Sequence, residues 1–227
     1  MSLSKNFRRI AFVVAYNFYL RRKLSTTSST KTFGFELNIP PTVFHPKYFF
    51  SSSFFGRYIR SINLQGKSVL DMGSGSGILS LIAASKGALV SSVDINPRSV
   101  IATRENAIQN HLEQCITAFQ GNLFKPIPPE SRFDLILFNP PFYHGEPVDI
   151  ADSAWKGGKG HRVIKEFIEA SHGYLNPDSR ILMVISSDME TQKILDMFSS
   201  NQFATRCVSS MQTLFDRLFI YEATISS

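Results

Sequence analysis

The sequence predicts a doubly wound α/β domain with a seven-stranded, mostly parallel sheet, preceded by a basic N-terminal helical extension. Three observations predict it. From Ser68 onward, short apolar runs alternate with stretches whose apolar residues recur at helical spacing. The first run ends in Asp71 and three alternate glycines, Gly73, Gly75 and Gly77, and a helical pattern starts at once. The fourth run, Phe133 to Phe138, stops abruptly at Asn139-Pro140-Pro141-Phe142. Open α/β sheets bind ligands beyond the carboxyl ends of their strands, where both interruptions fall.

The chain has 227 residues, 43% hydrophobic and 19% charged, which suits one globular domain with a short extension. Its net charge of +6 belongs to one end. Lys5, Arg8, Arg9, Arg21, Arg22, Lys23 and Lys31 all precede the first acid, Glu36, and the remainder carries 17 basic against 18 acidic residues. A nearly neutral body offers no broad basic face for a nucleic-acid duplex. The two cysteines, Cys115 and Cys207, form no disulfide or zinc pattern, and the histidines lack metal-ligand spacing, so no metal is expected. Two isolated cysteines fit a reducing, cytoplasmic setting.

Residues 1–32 are read as a basic amphipathic extension and linker, and 33–227 as the domain. Ile10 to Leu20 is apolar and aromatic between Arg8-Arg9 and Arg21-Arg22-Lys23, too short to span a bilayer. Three readings stand open: a helix docked on the domain or a partner, a helix on an anionic membrane surface, and an organellar targeting segment. Ser25 to Thr32 reads as a polar linker. Phe33, Phe35, Leu37 and Ile39 alternate with polar residues as a short strand that Pro40-Pro41 ends. Tyr48 to Ile62 reads as an aromatic-rich helix, with Ser51, Ser52 and Ser53 near its start, placed to cover the mouth of a cofactor site.

The glycine loop follows the strand at Ser68 to Met72, and its helix runs from Ile78 to Lys86. Glycines permit a tight turn and a close backbone approach to a ligand. A dinucleotide fold would need Gly-x-Gly-x-x-Gly, but Ile78 stands where its last glycine belongs, which excludes a dehydrogenase. The second strand, Leu89 to Val93, ends in Asp94 and Ile95, and an acid there accepts hydrogen bonds from a ribose diol; a helix N-cap is the alternative role. Asn96-Pro97 opens the next helix, with Pro97 early in it. A third strand at Cys115 to Phe119 leads to Gly121-Asn122-Leu123-Phe124 at the same sheet edge.

After the fourth strand, Asn139 arrives at the sheet edge on a stiff loop. Proline has a fixed φ and no backbone donor, so carbonyls there are free to accept. The cluster suits a planar amino group held in one orientation, with Phe142 against its face. Tyr143 to Gly160 is a long mixed loop beside this motif, containing Trp155. Then come a helix from His161 to Tyr174, a turn at Asn176-Pro177-Asp178, a strand from Arg180 to Ile185 and a helix from Met189 to Ser199. Strands near Phe203 to Ser209 and Leu218 to Thr224 complete seven, the last antiparallel.

The glycine loop, Asp94 and the Asn-Pro-Pro-Phe motif, in this order and spacing, resemble the Rossmann-like class I S-adenosylmethionine-dependent methyltransferases. Val93-Asp94-Ile95-Asn96-Pro97, Glu105-Asn106-Ala107, Asn122-Leu123-Phe124 and Ala154-Trp155-Lys156-Gly157-Gly158 are similar to the HemK/PrmC branch, which methylates glutamines of release factors and related proteins. The resemblance implies S-adenosylmethionine bound by Asp71, Gly73, Gly75, Gly77, Asp94, Ile95, Asn122, Leu123 and Asn139. It implies catalysis by Asn139, Pro140 and Phe142 on a protein glutamine. Adenine in RNA or DNA and a small molecule at a membrane surface are the alternative acceptors. Three features depart from that branch: Asn122 replaces an Asp, Phe142 replaces a Tyr, and Ser51 to Ser53 stand where an acid is usual.

Overall fold

The computed structural model describes residues 26–46, 50–142, 145–146, 148–149, 156–214 and 216–226. The expected helix at Ile10 to Leu20 and the loop residue Trp155 lie outside the described residues.

An N-terminal hairpin pairs β1 (Ser28–Thr32) with β2 (Phe35–Ile39). Helix α1 (Phe50–Ser61) leads to the main sheet. There follow β3 (Ser68–Met72), α2 (Ile78–Ser85), β4 (Leu89–Asp94), α3 (Pro97–Gln109), β5 (Ile116–Gln120) and β6 (Phe133–Phe138). The second half contains α4 (Arg162–Ser171), β7 (Leu175–Ser186), α5 (Thr191–Ser200), β8 (Phe203–Gln212) and β9 (Arg217–Ile225). Sheet order is β5-β4-β3-β6-β7-β9-β8, with only β9 running against its neighbours. The seven-stranded, mostly parallel sheet is as expected.

Strand alternation sorts the core into two layers. Val69, Leu135, Leu137, Leu182 and Val184 face Phe55 and Ile59 of α1 and Ile82 of α2. Leu70, Ile136, Phe138, Ile181 and Met183 face Phe167 of α4 and Phe198 of α5. A slip of one residue in β3 or β6 would exchange the two layers, so register is strongly specified.

Two expectations change. Ser28–Thr32, expected as linker, is a strand whose partner is β2; Ser29 Oγ donates to Asn38 Oδ1 at 2.7 Å. The turn expected at Asn176-Pro177-Asp178 lies inside β7, because Phe133 pairs with Leu175 and Leu135 with Arg180. Residues 176–179 bulge between those pairs, as the missing donor of Pro177 requires.

The hairpin is fastened to α3 by two asparagines one turn apart. Asn106 Oδ1 accepts from the Asn38 N–H at 2.7 Å, and its amide donates to the Asn38 carbonyl at 3.1 Å and the Ser76 carbonyl at 2.9 Å. Asn110 does the same to Glu36, accepting at 3.0 Å and donating at 2.8 Å. Asn106 thereby links the hairpin to the glycine loop. Among the described residues no helix is long and apolar enough to cross a membrane.

Candidate active site

The chain steps outward from β3 to β4 to β5, then returns to place β6 on the other side of β3. This is a topological switch point, and the loops leaving β3 and β6 diverge around a crevice. A cavity of about 290 Å³ fills it, near the lower end for small-molecule sites.

The glycine loop forms one wall. Gly73, Gly75 and Gly77 all have left-handed φ, at 73°, 55° and 80°. Their jobs differ. Gly73 and Gly75 line the cavity, and the backbone N–H groups of Gly73 and Ser74 both donate to the Val93 carbonyl, at 2.8 and 3.0 Å. Gly77 does not line it; a Cβ there would lie 3.0–3.1 Å from Thr103 atoms. Its glycine lets the loop seat against α3.

Asp94 stands in the wall at the end of β4. The Gly75 N–H donates to its Oδ2 and the Asn96 N–H to its Oδ1, each at 2.8 Å. A carboxylate has about four acceptor sites, so capacity remains beyond these bonds. Burial pushes this carboxyl above its ordinary range, against those two backbone bonds and the Ser99 hydroxyl. The N-cap of α3 is Asn96, whose Oδ1 accepts from the Arg98 N–H at 3.0 Å. Asp94 is therefore not the helix cap.

Asp71 is placed differently from the expectation that it meets a ligand at the pocket. It is 1% exposed, behind the glycine loop, and does not line the cavity. Ser80 Oγ donates to its Oδ2, while Oδ1 is buried without a partner among the described residues. Desolvation raises its pKa to about 6, opposed by Ser80 and reinforced by the nearby charge of Asp94.

Ile95, Asn122 and Leu123 lie in the wall as expected, Leu123 with a φ of 50°. Asn139, Pro140, Pro141 and Phe142 close the far side. Asn139 Nδ2 donates to Ser51 Oγ at 3.3 Å and to Ser52 Oγ at 3.5 Å, while its Oδ1 is buried with no partner among the described residues.

The segment before α1 roofs the site. Asn96 Nδ2 donates to the Thr42 carbonyl at 3.1 Å, and Phe44, Ser51 and Ser52 join the wall. The covering position expected for this region is thus occupied. Phe44 and the α4 residues Arg162, Val163 and Glu166 are wall residues that sequence reasoning missed. Glu146 ties the loop after Phe142 to α4, accepting from Arg162 at 2.7 Å. Gly145 and Gly158 make an antiparallel bridge across that loop's base.

The methyltransferase small domain family matches residues 51–207. The chain belongs to that family. A putative protein N5-glutamine methyltransferase of Methanocaldococcus jannaschii is 30% identical over 168 residues, 71% of this chain and 83% of that one. A release factor glutamine methyltransferase of Fusobacterium nucleatum is 25% identical and is covered over 48% of its length, so the chain spans about half of that relative. A solved 16S rRNA methyltransferase of T. thermophilus, in complex with AdoMet and guanosine, shares the fold with a TM-score of 0.63 at 21% identity, over 88% of this chain and 50% of that one. The chain is thus a class I methyltransferase of HemK-like type with S-adenosylmethionine as methyl donor. The site fits that donor: a cavity walled by glycines with left-handed φ and a carboxylate at the end of β4.

Proposed function

We propose that the methyltransferase transfers a methyl group to the side-chain amide nitrogen of a glutamine in a protein, of the release-factor type. The observation that carries this reading is the buried Asn139 Oδ1, without a partner among the described residues, next in the chain to the buried Pro140 and in the same wall as Phe142. A buried acceptor left unmatched costs about 1–3 kcal/mol, a cost that an incoming N–H donor removes. The names of the relatives support the protein class of acceptor.

The cofactor residues divide the work. Asp94 is prealigned by Gly75 and Asn96 and keeps lone pairs for a ribose diol. Gly73 and Gly75 would admit the ligand close to the backbone, Ile95 and Leu123 would pack on its adenine, and the Asn122 amide oxygen would accept from the adenine amine. Asp71 acts from beneath the loop, as a buried charge opposite the cationic amino-acid end.

S-adenosylmethionine supplies an electrophilic methyl on sulfur. An amide nitrogen is a weak nucleophile because its lone pair is delocalised. Asn139 Oδ1 and the Pro140 carbonyl accept its two N–H bonds, which favours pyramidalisation and aims the lone pair at the methyl. Phe142 packs on the amide plane. The N–C bond forms as the S–C bond breaks, and the strongly acidic N-methylated product gives one N–H proton to water. No side-chain base is required before transfer.

The same acceptor pair suits an adenine amine, so nucleic acid is the second reading; the near-neutral body weighs against it. The test is transfer from labelled S-adenosylmethionine into a size-fractionated lysate, with Asn139→Ala as control. Label in one protein band, lost with the variant, is expected. Label confined to nucleic acid or lipid overturns the protein assignment.

A further inference from the structure

Ser51 and Ser52 sit in the first turn of α1 and are 5% and 4% exposed, yet both line the cavity facing Asn139. Their hydroxyl oxygens lie 3.3 and 3.5 Å from the Asn139 amide nitrogen. That nitrogen carries two hydrogens, so two acceptors use both. Rotating the amide by half a turn would put its NH2 where the buried Oδ1 now lies. The serine hydroxyls could turn to donate to the oxygen, but two donors without a partner among the described residues would replace one such acceptor, and orphaned buried N–H groups are the rarer and less tolerated case.

We propose that Ser51 and Ser52 are positioning residues for methyl transfer: by taking both amide hydrogens of Asn139 they hold its Oδ1 as the acceptor for the incoming N–H. This rests on the role given to Asn139 above. The serines act through Asn139 and need not touch the acceptor. They are contributed by a helix that precedes the main sheet, so the orientation of the transfer group depends on how α1 is seated. A carboxylate can only accept and would hold the same rotamer. A carboxylic acid, like a serine hydroxyl, can also donate, and so tells the two rotamers apart less strictly than the carboxylate does.

The test compares wild type, Ser51→Ala, Ser52→Ala, the double alanine variant and Ser51→Asp. Single-turnover transfer is measured at saturating labelled S-adenosylmethionine, on the lysate fraction that wild type labels, together with the KM for the cofactor. The double alanine variant is expected to lower the transfer rate roughly 10- to 100-fold, as small misplacements at a reacting centre do, with the cofactor KM within about twofold of wild type on the same argument. Ser51→Asp is expected to regain rate as pH rises through the titration of the introduced carboxyl, a profile wild type lacks. An unchanged rate in the double variant overturns the proposal. So does a raised cofactor KM at unchanged rate, which assigns the serines to cofactor binding. Should the double variant not fold, the single variants decide: a lowered rate in either supports the proposal, and wild-type rates in both overturn it. Wild-type label in nucleic acid instead of protein defeats the substrate reading alone, because an adenine amine meets Asn139 in the same way and the same comparison still decides the serines.

Discussion

Met72 pairs with Phe138 in parallel register, so the residues that follow them, Gly73 and Asn139, leave the sheet side by side. The glycine wall and the acceptor wall of the cavity are therefore separate loops carried by neighbouring strands. Damage to one should spare the other.

Asn139→Ala tests that separation. The variant should fold and bind S-adenosylmethionine within about threefold of wild type, while turnover falls by about 10²–10³, the usual loss for a preorganised polar group at a reacting centre. Calorimetric titration with the cofactor and a turnover assay read the two quantities independently. Near-wild-type turnover would sink the role given to Asn139.

Gly77→Ala should fail for two reasons that can be told apart. The left-handed φ of 80° costs an alanine about 1–2 kcal/mol, and the new methyl would press on Thr103. Adding Thr103→Ser removes the Cγ2 contact but not the backbone strain, so urea midpoints should show partial recovery. Complete recovery would mean that the φ requirement is unimportant.

Asp71 predicts a pH dependence with a definite sign. Its folded-state pKa of about 6 lies above the ordinary 3.8, so the folded state holds the proton more tightly than the unfolded chain. Its contribution is fully present below about pH 4 and is lost as pH rises through about 6, and the loss is complete at neutral pH, at about 3 kcal/mol. Asp71→Asn should therefore gain stability over wild type between pH 4.5 and 7.5 in urea denaturation. Parallel stability curves would show that Asp71 is not desolvated as described. Asp94 is shifted in the same direction, and because the two carboxylates repel each other, Asp71→Asn also eases ionisation of Asp94.

Asn106→Ala leaves the Asn38 N–H, the Asn38 carbonyl and the Ser76 carbonyl without their side-chain partner. A loss of about 2–4 kcal/mol is expected for buried polar groups deprived together. Hydrogen exchange at Asn38 should quicken and cofactor affinity should fall, because the same side chain braces the glycine loop. Slow exchange at Asn38 in the variant would contradict this bracing.

Local pattern made the strands, helices and much of the site readable. Gly73, Gly75, Asp94 and Asn139 each end or follow an apolar run, and the sheet's parallel order carries them to one edge. What was hidden depends on distant partners. Ser51 and Ser52 look like ordinary helix-start residues, and their relation to Asn139 spans 88 and 87 residues. Ser28–Thr32 is polar throughout, and only pairing with β2 makes it a strand. Asp71 was legible as an acid in the right segment, but strand alternation alone does not say whether it meets the ligand or lies beneath the loop.

The paired asparagines of α3 have a geometric consequence. Four residues along a helix rise about 6 Å, and two along a strand advance about 6.6 Å, so Asn106 and Asn110 are spaced to match Asn38 and Glu36. The helix side chains thus act as a surrogate neighbouring strand along β2. Hydrogen-bonding positions that would otherwise be an open template for another chain are already filled, which protects a small two-stranded hairpin from mispairing during synthesis and refolding.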